Sequence, residues 1–348
     1  MNRVTQAQIA REVGLSVATV SRTLANDPRV DAATAGRVRA VAERLGYRPD
    51  PAFSWMAEVR WRGGKGCQRL NLAFIFQFRQ HASDKRLFYH GAETHAAELG
   101  YGLDQFFMED YPDSGALQRI LIARGIRGII VGPLFKSEPT LELDWSKFCT
   151  VGCGHGHFEP TFHVVTYDPY EAIMVAWRRA LAYGYRLPGL VIPLHAPPVC
   201  VDDDENRRAA ALLCHDQGAP GGNVPPLCYS FGDPYEVLVK RMRSWFRKWK
   251  PDAVLGLNDM PLGILQHEFK VRVPGEVGFA QFADTDPEQQ GIAGIKDSAE
   301  DIGRASVDLL QLILRTNQWG LPKTRIRHYV EPEWIDGETL PRRAGTKA

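Results

Sequence analysis

The chain has 348 residues, 44% of them hydrophobic and 24% charged, with 42 Lys/Arg against 41 Asp/Glu. Those proportions exclude collagen-like, low-complexity and disordered chains, and the length predicts two or three domains rather than one core. The near-zero total hides an asymmetry. Residues 1–69 hold 12 Lys/Arg and 6 Asp/Glu, a net +6, which leaves −5 on the rest. A basic head on an acidic body is the split expected when only the head meets a polyanion. The start, Met1-Asn2-Arg3-Val4-Thr5-Gln6, carries no apolar run of signal-peptide length, and no stretch of about 18 apolar residues occurs. The expectation is a cytoplasmic protein without a membrane partner. Six dispersed cysteines form no Cys-x-x-Cys pair, which suits free thiols.

In chain order, Thr5-x-x-Gln8 spells a capping box and opens a helix through Val13, with Ile9, Ala10 and Val13 on one face. Gly14-Leu15-Ser16 breaks it, and Ser16 caps a second helix from Val17 to about Ala25. There Val20 and Leu24 point inward while Val17, Ala18, Ser21 and Arg22 point out. Asp31 caps a third helix to Leu45, and Gly46 is suited to end it. Tyr47-Arg48-Pro49-Asp50-Pro51 cannot continue a helix, Ala52–Val59 has room for one or two helical turns, and Arg62 to Gly66 is glycine-rich and basic.

From Leu70 on, short apolar runs (Leu72–Phe78, Gly128–Leu134, Val164–Tyr167, Leu187–Ile192, Ala253–Leu257, Val277–Phe282) alternate with helical segments. Those segments are Leu87–Leu99, Ser114–Arg124, Tyr170–Tyr183, Glu205–Asp216, Asp233–Trp249 and Ala299–Leu314. This alternation predicts parallel sheets covered on both faces, in two lobes. The expected fold is thus an all-α three-helix head (1–48), a linker (49–68) and an α/β two-lobed body (69–348). Lobe 1 takes about 69–165 and 290–320, and lobe 2 about 166–289 and 321–340.

Two helices joined by a tight turn, the second facing outward with small, polar and basic residues, are how a helix-turn-helix sets a recognition helix into the major groove. Position strengthens the signal: the element opens the chain, inside the +6 segment. The hydroxyls of Thr5, Ser16, Thr19 and Ser21 suit phosphate contacts or simple capping. Arg22 can pair bidentately with guanine, whereas Val17 and Ala18 can only touch thymine methyls or exclude bulk. His155 and His157, within Gly152-Cys153-Gly154-His155-Gly156-His157, have no third ligand at metal spacing, so no metal is expected and no cofactor either. A doubly wound enzyme would need Gly-x-Gly-x-x-Gly, a Walker loop or a Gly-x-Ser-x-Gly elbow, none of which occurs, so the chain is not expected to be an enzyme.

The string Val4 to Arg22, with Asp27-Pro28-Arg29-Val30 and Leu45-Gly46-Tyr47-Arg48-Pro49, resembles the headpiece of the LacI/GalR family of bacterial repressors. Farther on, Gly184-Tyr185, Pro251-Asp252-Ala253-Val254, Asn258-Asp259, Val273-Pro274-Gly275-Glu276-Val277 and Gly303-Arg304-Ala305 resemble landmarks of the family's periplasmic-binding-protein-like effector domain. The resemblance implies a homodimer on a pseudo-palindromic double-stranded DNA operator, modulated by a small-molecule effector such as a sugar. It assigns base reading to Val17, Ala18 and Arg22. Met56 falls where the family inserts an apolar wedge into the minor groove, although Trp55 or Met56 packing within the hinge is the alternative. Tyr167, Asp168, Arg207, Asn258 and Asp284 match or adjoin effector positions. Phe53, Asp50-Pro51, Ala25, Ala35 and Ala283 depart from the family's usual residues. A regulator that needs no effector, its body serving only dimerisation, is the other reading.

Overall fold

A computed structural model describes residues 4–24, 30–45, 47, 70–80, 86–134, 140–156, 160–195, 202–286 and 291–343. Met56, Trp55, His157 and all of residues 48–69 lie outside them, and so does Gly46.

The head is three helices: α1 (Gln6–Val13), α2 (Val17–Leu24) and α3 (Ala32–Arg44). Thr5 caps α1 in the expected reciprocal box with Gln8, and Gly14 ends it at φ 71°, a left-handed turn that glycine takes at no steric cost. Ser16 Oγ accepts from the Thr19 N–H at 3.1 Å, and Asp31 Oδ1 accepts from Thr34 N–H at 2.8 Å. Ile9, Ala10, Val20, Val38 and Ala42 form the small core. Leu24 is only half-buried; Thr23, one residue earlier, is buried with it because its hydroxyl donates to the Thr19 carbonyl at 2.8 Å.

The body contains two six-stranded sheets. The first has the order β11-β5-β4-β3-β1-β2, from β1 (Asn71–Phe76), β2 (Gly102–Phe107), β3 (Gly128–Val131), β4 (Cys149–Cys153), β5 (His163–Tyr167) and β11 (Arg327–Val330), all parallel. The second has the order β12-β10-β9-β8-β6-β7, from β6 (Pro188–Leu194), β7 (Leu227–Ser230), β8 (Ala253–Gly256), β9 (Gly278–Thr285), β10 (Ala293–Lys296) and β12 (Trp334–Ile335). Only β12 runs antiparallel there, against β10. Helices α4 (Arg86–Glu98), α5 (Ser114–Ala123) and α10 (Ala299–Arg315) cover the first sheet. Helices α6 (Pro169–Ala182), α7 (Asp202–Gln217) and α8 (Tyr235–Trp249) cover the second, in which the short α9 (Met260–Gly263) follows β8. Each sheet therefore has an apolar cluster on both faces, as parallel sheets require.

This two-lobed body is the periplasmic-binding-protein-like fold expected. The lobe boundaries differ from the expectation in two places. Strand β10 pairs with β9, so residues 293–296 belong to the second lobe, and β11 pairs with β5, so residues 327–330 belong to the first. The chain thus crosses between lobes after Tyr167, after Lys296 and after Val330. Backbone pairing decides this, and short strands such as Ala293–Lys296 carry too little pattern to reveal it. Strands β2, β4 and β7 were likewise missed, because Gly102–Phe107 is only partly buried and Cys149–Cys153 reads as glycine-broken loop text.

A tail straps the second lobe. Leu340 is buried in its core, Tyr185 Oη donates to the Pro341 carbonyl at 3.1 Å, and Arg343 bridges to Asp252 at 3.0 Å. The four described cysteines are free thiols, and burial pushes those of Cys149, Cys153 and Cys214 up to about 12. No described helix is long and apolar enough to cross a membrane, and no described cluster of His, Cys, Asp and Glu could hold a metal ion.

Candidate DNA interface and inter-lobe cleft

On α2 the outward face is as the spacing predicts. Val17, Ala18, Ser21 and Arg22 are exposed while Val20 is fully buried. Val17 is the notable one, a branched apolar residue 47% exposed on a helix with an intact core behind it. The hydroxyls divide. Thr5 and Ser16 are engaged as helix caps, and Thr19 Oγ1 lies 2.9 Å from Ser16 Oγ, so three of the four expected phosphate ligands have local partners. All three stay at the surface; the Thr5 hydroxyl also donates to Gln8 Oε1 at 3.3 Å, and one hydroxyl of the Ser16–Thr19 pair donates to the other, which leaves the second hydroxyl's proton for a phosphate. Two further arginines are spent internally: Arg37 donates to the Val13 carbonyl at 2.9 Å and Arg44 pairs with Glu12 at 2.9 Å.

In the body, five residues were expected at the cleft, and the structure brings Tyr167 and Arg207 into contact. Tyr167 ends β5 in the first lobe, and Arg207 stands on α7 in the second. The guanidinium donates to the phenol oxygen at 3.0 Å, tying the carboxyl ends of the two sheets together. Arg207 is only 4% exposed, which rules out a plain surface charge; its neighbour Arg208 is exposed. Its other amino group meets Asp204 at 2.6 Å, and the same carboxylate accepts from the His195 backbone at 2.7 Å and from His195 Nδ1 at 3.1 Å. The His195 ring lies 4.7 Å from that of Phe231, and His155 stands edge-on to Tyr167.

The electrostatics follow from burial. Asp203, 6% exposed, has its carboxyl pushed up to about 6 by desolvation, which Arg207 only partly offsets. Desolvation also acts on Asp204, yet the bonds from His195 and Arg207 outweigh it and hold that carboxyl below its ordinary value. Burial raises the Tyr167 phenol despite Arg207, with Asp203 and Asp284 adding to the rise. Asp203 Oδ2 and Arg207 Nε have no hydrogen-bond partner among the described residues.

The remaining expected residues do other work as well. Asp168 caps α6, accepting from the N–H groups of Tyr170 and Glu171. Asn258 Oδ1 accepts from Met260 N–H at 3.2 Å, whereas Asp259, at the N-cap position, makes no side-chain cap. Asp284 is exposed at φ 52°, where the pairing of β9 with β10 slips register. Bulges of this kind re-aim a side chain. His195, Asp203, Asp204 and Phe231 were not expected. The Asp202-Asp203-Asp204 triplet ahead of Arg207 was a legible signal for two of them; nothing local marks His195 or Phe231.

Residues 5–50 match the family described as bacterial regulatory proteins, lacI family. The chain is 24% identical to the HTH-type transcriptional regulator GalR of Streptococcus thermophilus, over 88% of this chain and 91% of that protein. Its fold is similar to a solved complex of the transcriptional regulator CelR with cellobiose (TM-score 0.56, 19% identity, 97% and 100% of the two chains). It is equally similar to the lac repressor dimer bound to operator and the anti-inducer ONPF (TM-score 0.56, 20% identity, 98% and 100%). A lacI-type helix-turn-helix head over residues 5–50, followed in the same chain by a periplasmic-binding-protein-like body, makes this protein similar along its length to transcriptional regulators of the LacI/GalR type.

Proposed function

We propose that the protein is a homodimeric repressor that binds a pseudo-palindromic operator and releases or tightens it when a small metabolite such as a sugar enters the inter-lobe cleft. In this reading residues 1–48 are the headpiece, 49–68 the hinge and the remainder the effector and dimerisation body. Val17, Ala18 and Arg22 face base edges, Arg22 carrying most of the discrimination, while Thr5, Ser16, Thr19 and Ser21 face phosphates. Met56 would enter the central minor-groove step, where an unbranched apolar side chain can unstack bases. Tyr167, Asp168, Arg207, Asn258 and Asp284 would line the effector site. Cleft closure then alters the separation of the two hinges in a dimer, a coupling of typically about 1–3 kcal/mol between sites.

The observation that carries the reading is Arg207 of the second lobe bonded to Tyr167 of the first, buried at the carboxyl ends of both sheets in a chain that opens with a lacI-type head. Polar groups in that position are where open α/β sheets hold ligands. In vitro selection of DNA on the full chain tests it. The expected result is a two-fold symmetric consensus whose affinity falls linearly with log salt, with a slope of several units. Absence of enrichment, or a slope near zero, refutes it.

A further inference from the structure

The body is acidic overall, at −5, but its charge is uneven. Strands β6, β8 and β9 run parallel, so the segments that lead into them meet at one end of the second sheet, opposite the cleft. Arg186 precedes β6, while Arg247, Lys248 and Lys250 close α8 ahead of β8. Lys270 stands on the way to β9, and the tail returns Arg343 to the same place. Packing joins these segments. Asp252 accepts from the N–H groups of Arg186 and Leu187, both at 2.8 Å, and from Arg343 at 3.0 Å. The Phe246 ring, beside Arg247, lies 5.9 Å from that of Phe269, beside Lys270.

Asp252 is therefore taken up, and residues 237–251 contain no other acid to share. The side chains of Arg247, Lys250 and Lys270 are exposed and have no hydrogen bond or carboxylate partner among the described residues. A helix dipole favours cations at the end of α8, a preference that Arg247 and Lys248 already meet. Lys250 and Lys270, however, take φ 45° and 57°, left-handed backbone for which glycine is the unstrained choice. Two charges kept at a backbone cost point to a use for them. No large apolar side chain is exposed along 184–188, 247–252, 269–276 or 340–343. A protein interface needs an apolar core and a membrane-seated helix an apolar face, whereas a phosphate backbone is held by cations alone.

We infer that this end of the second lobe docks the phosphate backbone of duplex DNA without reading its sequence, so that a molecule whose head holds one duplex can take a second segment. The occupied head rests on the proposed function; the docking surface does not.

The test compares the wild-type full chain with the triple variant Arg247→Gln, Lys250→Gln, Lys270→Gln. Anisotropy of a labelled random-sequence duplex of about 40 bp is followed from about 50 to 200 mM salt. At about 0.9 per lost phosphate contact, the slope of log affinity against log salt should be shallower by about 2.7 per chain in the variant. In a second arm the head is first saturated with a short operator duplex obtained by selection; wild type then captures the labelled random duplex and the variant does not. Both results, with short-operator affinity and the melting curve unchanged, support the inference. An unchanged slope overturns it, as does failure of wild type to capture the second duplex. An equal loss on the short operator overturns it too, because the defect then lies in the head or the fold. A loss confined to anionic lipid vesicles or to polyglutamate assigns the surface to a membrane or an acidic protein and overturns it. The charge-keeping variant Arg247→Lys, Lys250→Arg, Lys270→Arg should retain the wild-type slope; a slope as shallow as that of the glutamine variant shows that charge is not the cause. If selection yields no operator, the proposed function fails while the slope still decides this inference.

Discussion

Asp203→Asn should make the protein more stable, and only where the wild-type carboxyl is charged. In the folded chain Asp203 titrates at about 6, against an ordinary value of 3.8, because burial opposes its charge more than Arg207 favours it. A carboxyl raised on folding leaves the native state at full strength below the unfolded value and weakens it as pH climbs through the folded one. The shift of about 2 units corresponds to roughly 3 kcal/mol lost above pH 6, at about 1.4 kcal/mol per unit. Asparagine resembles the protonated carboxyl and never charges. The variant should therefore gain about 2–3 kcal/mol at pH 8 and almost nothing at pH 4. Urea unfolding followed by tryptophan fluorescence at both pH values measures it, since Trp177, Trp245 and Trp334 all lie in the second lobe. A variant less stable than wild type at pH 8 would refute the reasoning by showing that the Arg207 attraction exceeds the cost of burial, and a gain equal at both pH values would refute it by showing that the gain does not come from the carboxyl's charge. A residue retained at that cost is what a binding site predicts.

Arg22→Ala should cost about 1–3 kcal/mol per half-site and relax preference at one guanine, read by competition between operator variants; an unchanged preference means the helix docks otherwise. Gly303→Ala should destabilise the first lobe by at least about 1–3 kcal/mol. A Cβ there would lie 2.1 Å from the Phe88 carbonyl, where α10 crosses α4, so a melting temperature within error of wild type contradicts the packing. His95 bridges the same two helices, with Nδ1 2.8 Å from Glu98 and Nε2 2.7 Å from Asp308. Burial opposes its charge, but those two bonds and the Asp308 charge prevail over it and over nearby Arg304, so its value is raised. Its contribution should be complete below about pH 6.5, the ordinary histidine value, and vanish as pH rises through the raised one. Proton resonances of the imidazole report the titration, and His95→Gln should flatten the stability profile of the first lobe. Met56→Asp should weaken operator binding without changing ligand affinity; equal loss of both would place Met56 outside the hinge role.

The head was readable from sequence because its determinants are local. Thr5 with Gln8, Gly14, Ser16 and Asp31 each act within about one helical turn, and the core joins residues within one short segment. The alternation of apolar runs with helices likewise made a two-lobed parallel body legible, since a strand buried on both faces reads as a continuous apolar run. Lobe membership after Gly291 was not legible. Strands as short as Ala293–Lys296 and Arg327–Val330 acquire their place by pairing with β9 and β5, and four residues are too few to leave a periodic mark of which sheet they join. The cleft shows the same division. Arg207 beside Arg208 has no local feature that distinguishes the two; α7 packing against the second sheet buries one and exposes the other. Tyr167 and Arg207 meet across 40 positions only because separate sheets present their carboxyl ends to each other, and His195 and Phe231 join them through that same geometry. Residue type told which side chains could bind. Tertiary structure decided which of them are buried together, and burial determines their charge and what remains free to hold a ligand.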